Sequence, residues 1–246
     1  PMRMMGALTG GAWAAHMISD LGDGRFDGAW LAQNFESLQP EKAIWDKYAN
    51  LFAHADTERV RFLEFERWWN GYYTLSRAEI LGITQNLFIG NRLEQGEMQL
   101  GAHCTVDLKR IANPIIIFAS EGDNITPPEQ ALGWIAKLYP NTNALRAAGQ
   151  RIVYMTHAHV GHLGIFVSGS VARLQHRAIL ESLDEVDALA PGLYEMVIDN
   201  PSGDPDCKAG DYQVWFLPRE VDDLRIATDD AALQQVARVS RINEAA

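Results

Sequence analysis

The sequence predicts an α/β fold, and three observations carry that expectation. A continuous apolar run, Pro114-Ile115-Ile116-Ile117-Phe118-Ala119-Ser120, is bounded by turn residues, as a strand buried on both faces is. A helix-start pattern follows it, and after that comes a second apolar run, Arg151-Ile152-Val153-Tyr154-Met155. Strand, helix, strand over this length is a βαβ unit, whose two strands run parallel.

The elements follow in chain order. From residue 1 to about 100 the pattern is mainly helical, broken by glycine turns at Leu21-Gly22-Asp23-Gly24 and Gly90-Asn91. Phe62, Phe65, Trp68 and Trp69 recur at helical spacing, interleaved with Arg61, Glu64 and Arg67. That spacing predicts an amphipathic helix with its aromatic face in a core. After the first strand, Glu121-Gly122-Asp123-Asn124 is turn-like. Thr126-Pro127-Pro128-Glu129 then reads as a capping Thr, a proline at the first helical position and an acid at the third. This helix is expected to run to about Tyr139 and to stop before Pro140-Asn141. The second strand leads straight into Thr156-His157-Ala158-His159-Val160-Gly161-His162. Past Ser168-Gly169-Ser170, residues 171–183 are again helical. From about 184 the chain turns acidic, and 193–198 and 212–217 alternate as two short strands joined by a polar segment.

Composition narrows the classes of function. In 246 residues, 47% are hydrophobic and seven are Trp, enough for a substantial core. Lys and Arg number 21 against 32 Asp and Glu, a formal charge of −11. Such a surface repels phosphate backbones and anionic headgroups, so neither nucleic acid nor a membrane is the expected partner. No run reaches the roughly 18 apolar residues of a membrane span. No charged-then-apolar signal peptide leads the chain, which opens at Pro1. Two cysteines, Cys104 and Cys207, form neither a disulfide framework nor a four-cysteine zinc site, and a cytoplasmic location is expected.

The βαβ unit points to chemistry. Parallel strands end on one edge of the sheet, where open α/β sheets place their ligands. Asp123 follows the first strand and His162 follows the second, so the two side chains are expected on the same rim. A carboxylate beside an imidazole fixes its tautomer and stabilises its protonated form, which general-base work requires. Acid before histidine, late in the chain, is also the order of α/β hydrolases. Each residue has a plainer role open to it. Asp123 could form an Asx-turn ahead of the helix, and His162 could be a packed loop histidine. His157, His159 and Glu121 fit supporting or structural roles.

Ser120-Glu121-Gly122-Asp123-Asn124-Ile125-Thr126-Pro127-Pro128 resembles the acid loop of polyhydroxyalkanoate synthases and their hydrolase relatives. Val160-Gly161-His162-Leu163-Gly164-Ile165-Phe166 resembles their histidine loop. More closely, the chain is similar to a bacterial family labelled polyhydroxyalkanoate-synthase-like, with matching stretches at 20–34, 65–69, 87–91, 123–134 and 161–172. The resemblance implies an α/β-hydrolase fold of which this chain is the C-terminal part. It divides into a helical cap segment at 1–100, the C-terminal hydrolase core at 101–183 and a C-terminal extension at 184–246. Trp68, Trp69 and Tyr72 are candidates for lining an acyl pocket in the cap. The implied chemistry is acyl transfer, either hydroxyacyl polymerisation or ester hydrolysis, on a small-molecule acyl ester or acyl thioester. Asp123 and His162 are the implied catalytic residues. No cofactor and no metal is implied, and a homo-oligomer is left open.

The resemblance also implies a Cys or Ser nucleophile in a G-x-[CS]-x-G elbow ahead of the cap, and this sequence contains no such elbow. Cys104 is expected in a small edge strand, Cys207 in a polar loop, and Ser168 and Ser170 follow the histidine without a strand-to-helix elbow. The nucleophile and its oxyanion hole are therefore expected upstream of Pro1, leaving the isolated chain inactive. Two further classes stay open. His157, His159 and His162 resemble the H-x-H-x-D-H zinc motif of metallo-β-lactamase-fold hydrolases, although Gly161 stands where that motif has Asp. Alternatively, the chain is a non-catalytic hydrolase-like protein that binds a partner along an open sheet edge.

Overall fold

The computed structural model describes residues 11–37, 40–101, 103–162, 164–204, 206, 210–224, 235, 238, 239 and 242, apart from the side chains of 167, 170 and 172. Cys207 and Leu163 lie outside the described residues. The chain divides into two compact units, one within Pro1–Arg92 and Asp230–Ala246, the other within Leu93–Asp229.

The first unit is helical around a two-stranded ribbon. Helix α1 (Trp13–Leu21) stops at Gly22, and the chain turns through Asp23 and Gly24, both at positive φ, 54° and 79°. Strand β1 (Arg25–Asp27) follows, then α2 (Ala29–Glu36). A π-helical turn (Lys42–Asp46) leads into α3 (Lys47–Ala53) and α4 (Ala55–Trp69). Strand β2 (Thr74–Ser76) pairs antiparallel with β1. Ser76 and Glu79 then form a reciprocal capping box that starts α5 (Arg77–Ile83). The predicted break at Gly90-Asn91 ends a π-helical turn (Thr84–Ile89), with Asn91 at φ 50°.

Helix α4 is the predicted amphipathic helix, but its aromatic face does not enter a core. Phe65 and Trp68 are 41% and 57% exposed, and Phe62 and Trp69 are half-buried. Residues three and four apart share one helix face, so the rings cover each other instead. Phe65 stacks on Trp69 at 6.0 Å between centroids and tilts against Trp68 at 5.7 Å.

The second unit is a layered α/β structure. Strand β3 (Ile115–Ser120) leads to α6 (Pro128–Leu138), α7 (Thr142–Ala147) and β4 (Arg151–His157). A short helix α8 (Gly164–Val167), α9 (Gly169–Glu181) and α10 (Leu183–Ala188) come next, followed by β5 (Gly192–Asp199) and β6 (Gln213–Arg219). The strands lie in the order β3-β4-β5-β6, with β3, β4 and β5 parallel and β6 antiparallel to β5. Both strands expected late in the chain thus extend the sheet that holds the βαβ unit. The edge strand expected around Cys104 is reduced to one antiparallel bridge, Gln99 to Thr105, and Cys104 is exposed.

Strand β4 shows why the sheet is covered on both faces. Ile152 and Tyr154 point to one side, into a cluster with Leu132 and Ile135 of α6, Leu145 of α7 and Leu193 of β5. Val153 and Met155 point to the other, against Leu174 and Ala178 of α9, Val186 of α10 and Met196 of β5. Period-two alternation within an uninterrupted apolar run is what a strand between two helical layers needs.

The start of α6 departs from expectation by one residue. Pro127, extended at φ −60° and ψ 164°, is the capping residue, and Pro128 is the first helical position. A residue that precedes proline is pushed out of the helical region, so the helix cannot begin before Pro128. Thr126 is thereby released from capping.

Candidate functional site

The site is built at the ends of β3 and β4. Their register pairs Ser120 with His157, so both strands finish at one level. Glu121 N–H donates to the His157 carbonyl at 2.9 Å, and the Ser120 hydroxyl donates to the same oxygen at 2.9 Å. The acid loop then passes against the backbone of the histidine loop. A Cβ on Gly122 would lie 2.6 Å from the His159 carbonyl carbon and 2.9 Å from the Val160 oxygen. Glycine is required there because backbone meets backbone.

Asp123, 8% exposed, is held by its own loop. Its Oδ1 accepts the N–H groups of Ile125 at 2.8 Å and Thr126 at 2.9 Å. Its Oδ2 accepts the Thr126 hydroxyl at 2.7 Å and lies 2.9 Å from His162 Nδ1. Burial pushes this carboxyl upward, but the hydrogen bonds from Thr126, His162 and Ile125 together outweigh it and hold the value at about 2. Asp123 is therefore an anion at neutral pH, and its two suggested roles coincide: it closes an Asx-turn and it faces the imidazole.

The side chain of His162 is 30% exposed. An ionised carboxylate only accepts, so the contact to Oδ2 requires a proton on Nδ1. In the neutral ring that proton leaves the lone pair on the other nitrogen, Nε2.

The other histidines of the loop are arranged differently. His157 Nδ1 accepts the His159 backbone N–H at 3.1 Å, and Phe118 packs near its ring. Burial, and then the neighbouring His159, hold the His157 imidazole below its ordinary value. Among the described residues, no three His, Cys, Asp or Glu side chains gather closely enough to hold a metal ion. Thr126 is the site residue that sequence reasoning passed over, because a Thr before two prolines looks like a cap. A Thr three residues after an Asp is the pattern that could have found it, since short polar side chains bond locally in such turns.

The second unit is thus of the α/β class, with a carboxylate–imidazole pair at the carboxyl ends of two adjacent parallel strands. The chain belongs to the family described as Protein of unknown function (DUF3141), whose model matches residues 1–246. It is 45% identical over 252 residues to the "Uncharacterized protein in ackA 5'region" of Rhizobium meliloti, covering 99% of this chain and 34% of that protein. The chain therefore spans about a third of that relative's length. More distant similarity links it to two polymer-forming enzymes. It is 26% identical over 165 residues to the poly(3-hydroxyalkanoate) polymerase subunit PhaC of Synechocystis, covering 66% of this chain and 41% of that one. It is 29% identical over 105 residues to the poly(3-hydroxyalkanoate) polymerase of Methylorubrum extorquens, covering 42% of this chain and 17% of that one. No solved structure matches the chain. No helix among the described residues is long and apolar enough to cross a membrane.

Proposed function

We propose that this chain supplies the general base and its orienting acid to an acyl-transferring or ester-cleaving active site on an α/β-hydrolase frame. The observation that carries the reading is the 2.9 Å contact between Asp123 Oδ2 and His162 Nδ1 at the ends of two parallel strands. The distant similarity to poly(3-hydroxyalkanoate) polymerases supports acyl substrates over other classes.

In this reading His162 Nε2 takes the proton of a Cys or Ser nucleophile supplied by another part of the intact protein. The imidazolium that forms is stabilised by the adjacent Asp123 anion, which stays ionised because its hydrogen bonds hold it at about 2. The proton then passes to the leaving oxygen or sulfur as the acyl group moves to the nucleophile. The substrate is a small acyl ester or acyl thioester, and the net charge of −11 disfavours nucleic acid and anionic membranes as partners.

The test uses the full-length protein with a nitrophenyl acyl ester and a 3-hydroxyacyl thioester. His162→Ala is expected to lower turnover by about 10⁴-fold, the scale of triad losses. Turnover that survives the substitution nearly intact overturns the reading, as does a wild-type protein that turns over neither substrate.

A further inference from the structure

We propose that Thr126 is a positioning residue for His162, its hydroxyl serving at once as donor to Asp123 and as acceptor for the imidazole Nδ1–H. The inference rests on the catalytic reading of the Asp123–His162 pair and deepens it. Three polar atoms meet at short range: Thr126 Oγ1 lies 2.7 Å from Asp123 Oδ2 and 3.0 Å from His162 Nδ1, which is itself 2.9 Å from Oδ2.

Proton counting assigns the roles. The carboxylate brings no proton, so the contact between Thr126 Oγ1 and Oδ2 uses the single hydroxyl proton. The contact between Nδ1 and Oδ2 uses the Nδ1 proton. The Oγ1 lone pairs are then what faces Nδ1, and the Nδ1–H is shared between a carboxylate oxygen and a hydroxyl oxygen. Nδ1 also lies 3.2 Å from Asp123 Oδ1, so the carboxylate alone sets the tautomer, and the hydroxyl adds an acceptor from outside the carboxylate that fixes the plane of the ring. The Thr126 backbone N–H anchors Asp123 Oδ1 as well, so one residue ties the acid, its loop and the base together. Released from capping α6, the hydroxyl serves this triangle instead.

The experiment is nitrogen-15 NMR of the histidine rings of this chain, at a pH where His162 is neutral, with His162 assigned by its loss in His162→Gln. The wild type is expected to show a single tautomer with a downfield Nδ1-bound proton. That proton should give a cross-peak to an exchange-protected Thr126 hydroxyl. Thr126→Val is expected to remove the cross-peak and to shift the Nδ1 nitrogen and its proton, which lose one acceptor while Asp123 keeps the tautomer, and Thr126→Ser keeps the wild-type pattern. Ring signals unchanged in Thr126→Val, or a wild-type pattern lost in Thr126→Ser, overturn the proposal. If Thr126→Val does not fold, the wild-type cross-peak decides by itself, and its absence overturns the proposal. None of these readouts needs turnover, so failure here is distinct from failure of the catalytic reading, which the His162→Ala kinetics decide.

Discussion

At the scale of single residues, the site is governed by what each polar atom can donate or accept. Asp123 is nearly buried, and a buried carboxylate is tolerated only when its lone pairs are used. Here they accept two backbone N–H groups, a hydroxyl and an imidazole N–H. Because its folded value of about 2 lies below the ordinary 3.8, folding favours the ionised form. The resulting stabilisation, about 2 kcal/mol, is complete above about pH 4 and is lost as the pH falls toward 2. Asp123→Asn cannot titrate. Denaturant unfolding of both proteins between pH 6 and pH 2 is therefore expected to show a stability gap that narrows with acidity. A gap that stays constant over that range would contradict the assignment.

At the scale of elements, a few buried hydrogen bonds decide how loops seat on the sheet. Thr142, the first residue of α7, is 2% exposed, and its hydroxyl accepts the N–H of Val221 at 2.8 Å. That bond ties the 3₁₀ turn at Val221–Leu224, which packs into the cluster around α6, to the helix before β4. Thr142→Val keeps the shape but leaves a buried N–H without an acceptor. Its expected cost is about 1–3 kcal/mol, read as a lower denaturant midpoint with an unchanged slope. Gln150 performs a similar service at the start of β4, donating to the Ile111 carbonyl at 3.0 Å and accepting the Arg151 N–H at 2.8 Å. Helix α4 is the contrast, since it buries none of its residues fully.

At the scale of the molecule, burial is unevenly shared. Among the described residues, both hydrophobic clusters lie within the second unit, where Ile135, Leu145, Ile152 and Val153 are fully buried. In the first unit the described buried residues are few, among them Phe26 and Ile80. Local opening is easiest where few apolar contacts close over the backbone. Hydrogen exchange on this chain is accordingly expected to be slowest across β4, β5 and α6 and much faster across α3 and α4. Equal protection in both regions would refute that ordering. Among the described residues, the Asp123–His162 pair thus sits at the ends of strands that belong to the more deeply buried of the two units.

Much of this architecture was legible in the residues themselves. An apolar run between turn signals predicts β3 and β4 because local burial and turn chemistry act within a few residues. Two parallel strands in one βαβ unit must end on the same edge, so Asp123 and His162 were expected on one rim. Helix boundaries near prolines are legible to within a residue, and the cap of α6 falls on Pro127, one residue after the Thr126 that the pattern predicts. What local pattern could not reveal depends on which segments meet after folding. The aromatic spacing of α4 predicts a face but not what covers it, and the rings end against one another. The place of β5 beside β4 and the need for glycine at 122 are set by backbone meeting backbone across long separations in the chain. The sequence by itself determined β3 and β4, their parallel direction and the rim that carries Asp123 and His162, while the ribbon of β1 and β2 lies in a stretch whose pattern is mainly helical. Only the tertiary structure brought a carboxylate, a hydroxyl and an imidazole within hydrogen-bond distance, because that closeness is a property of converging loops and of no spacing along the chain.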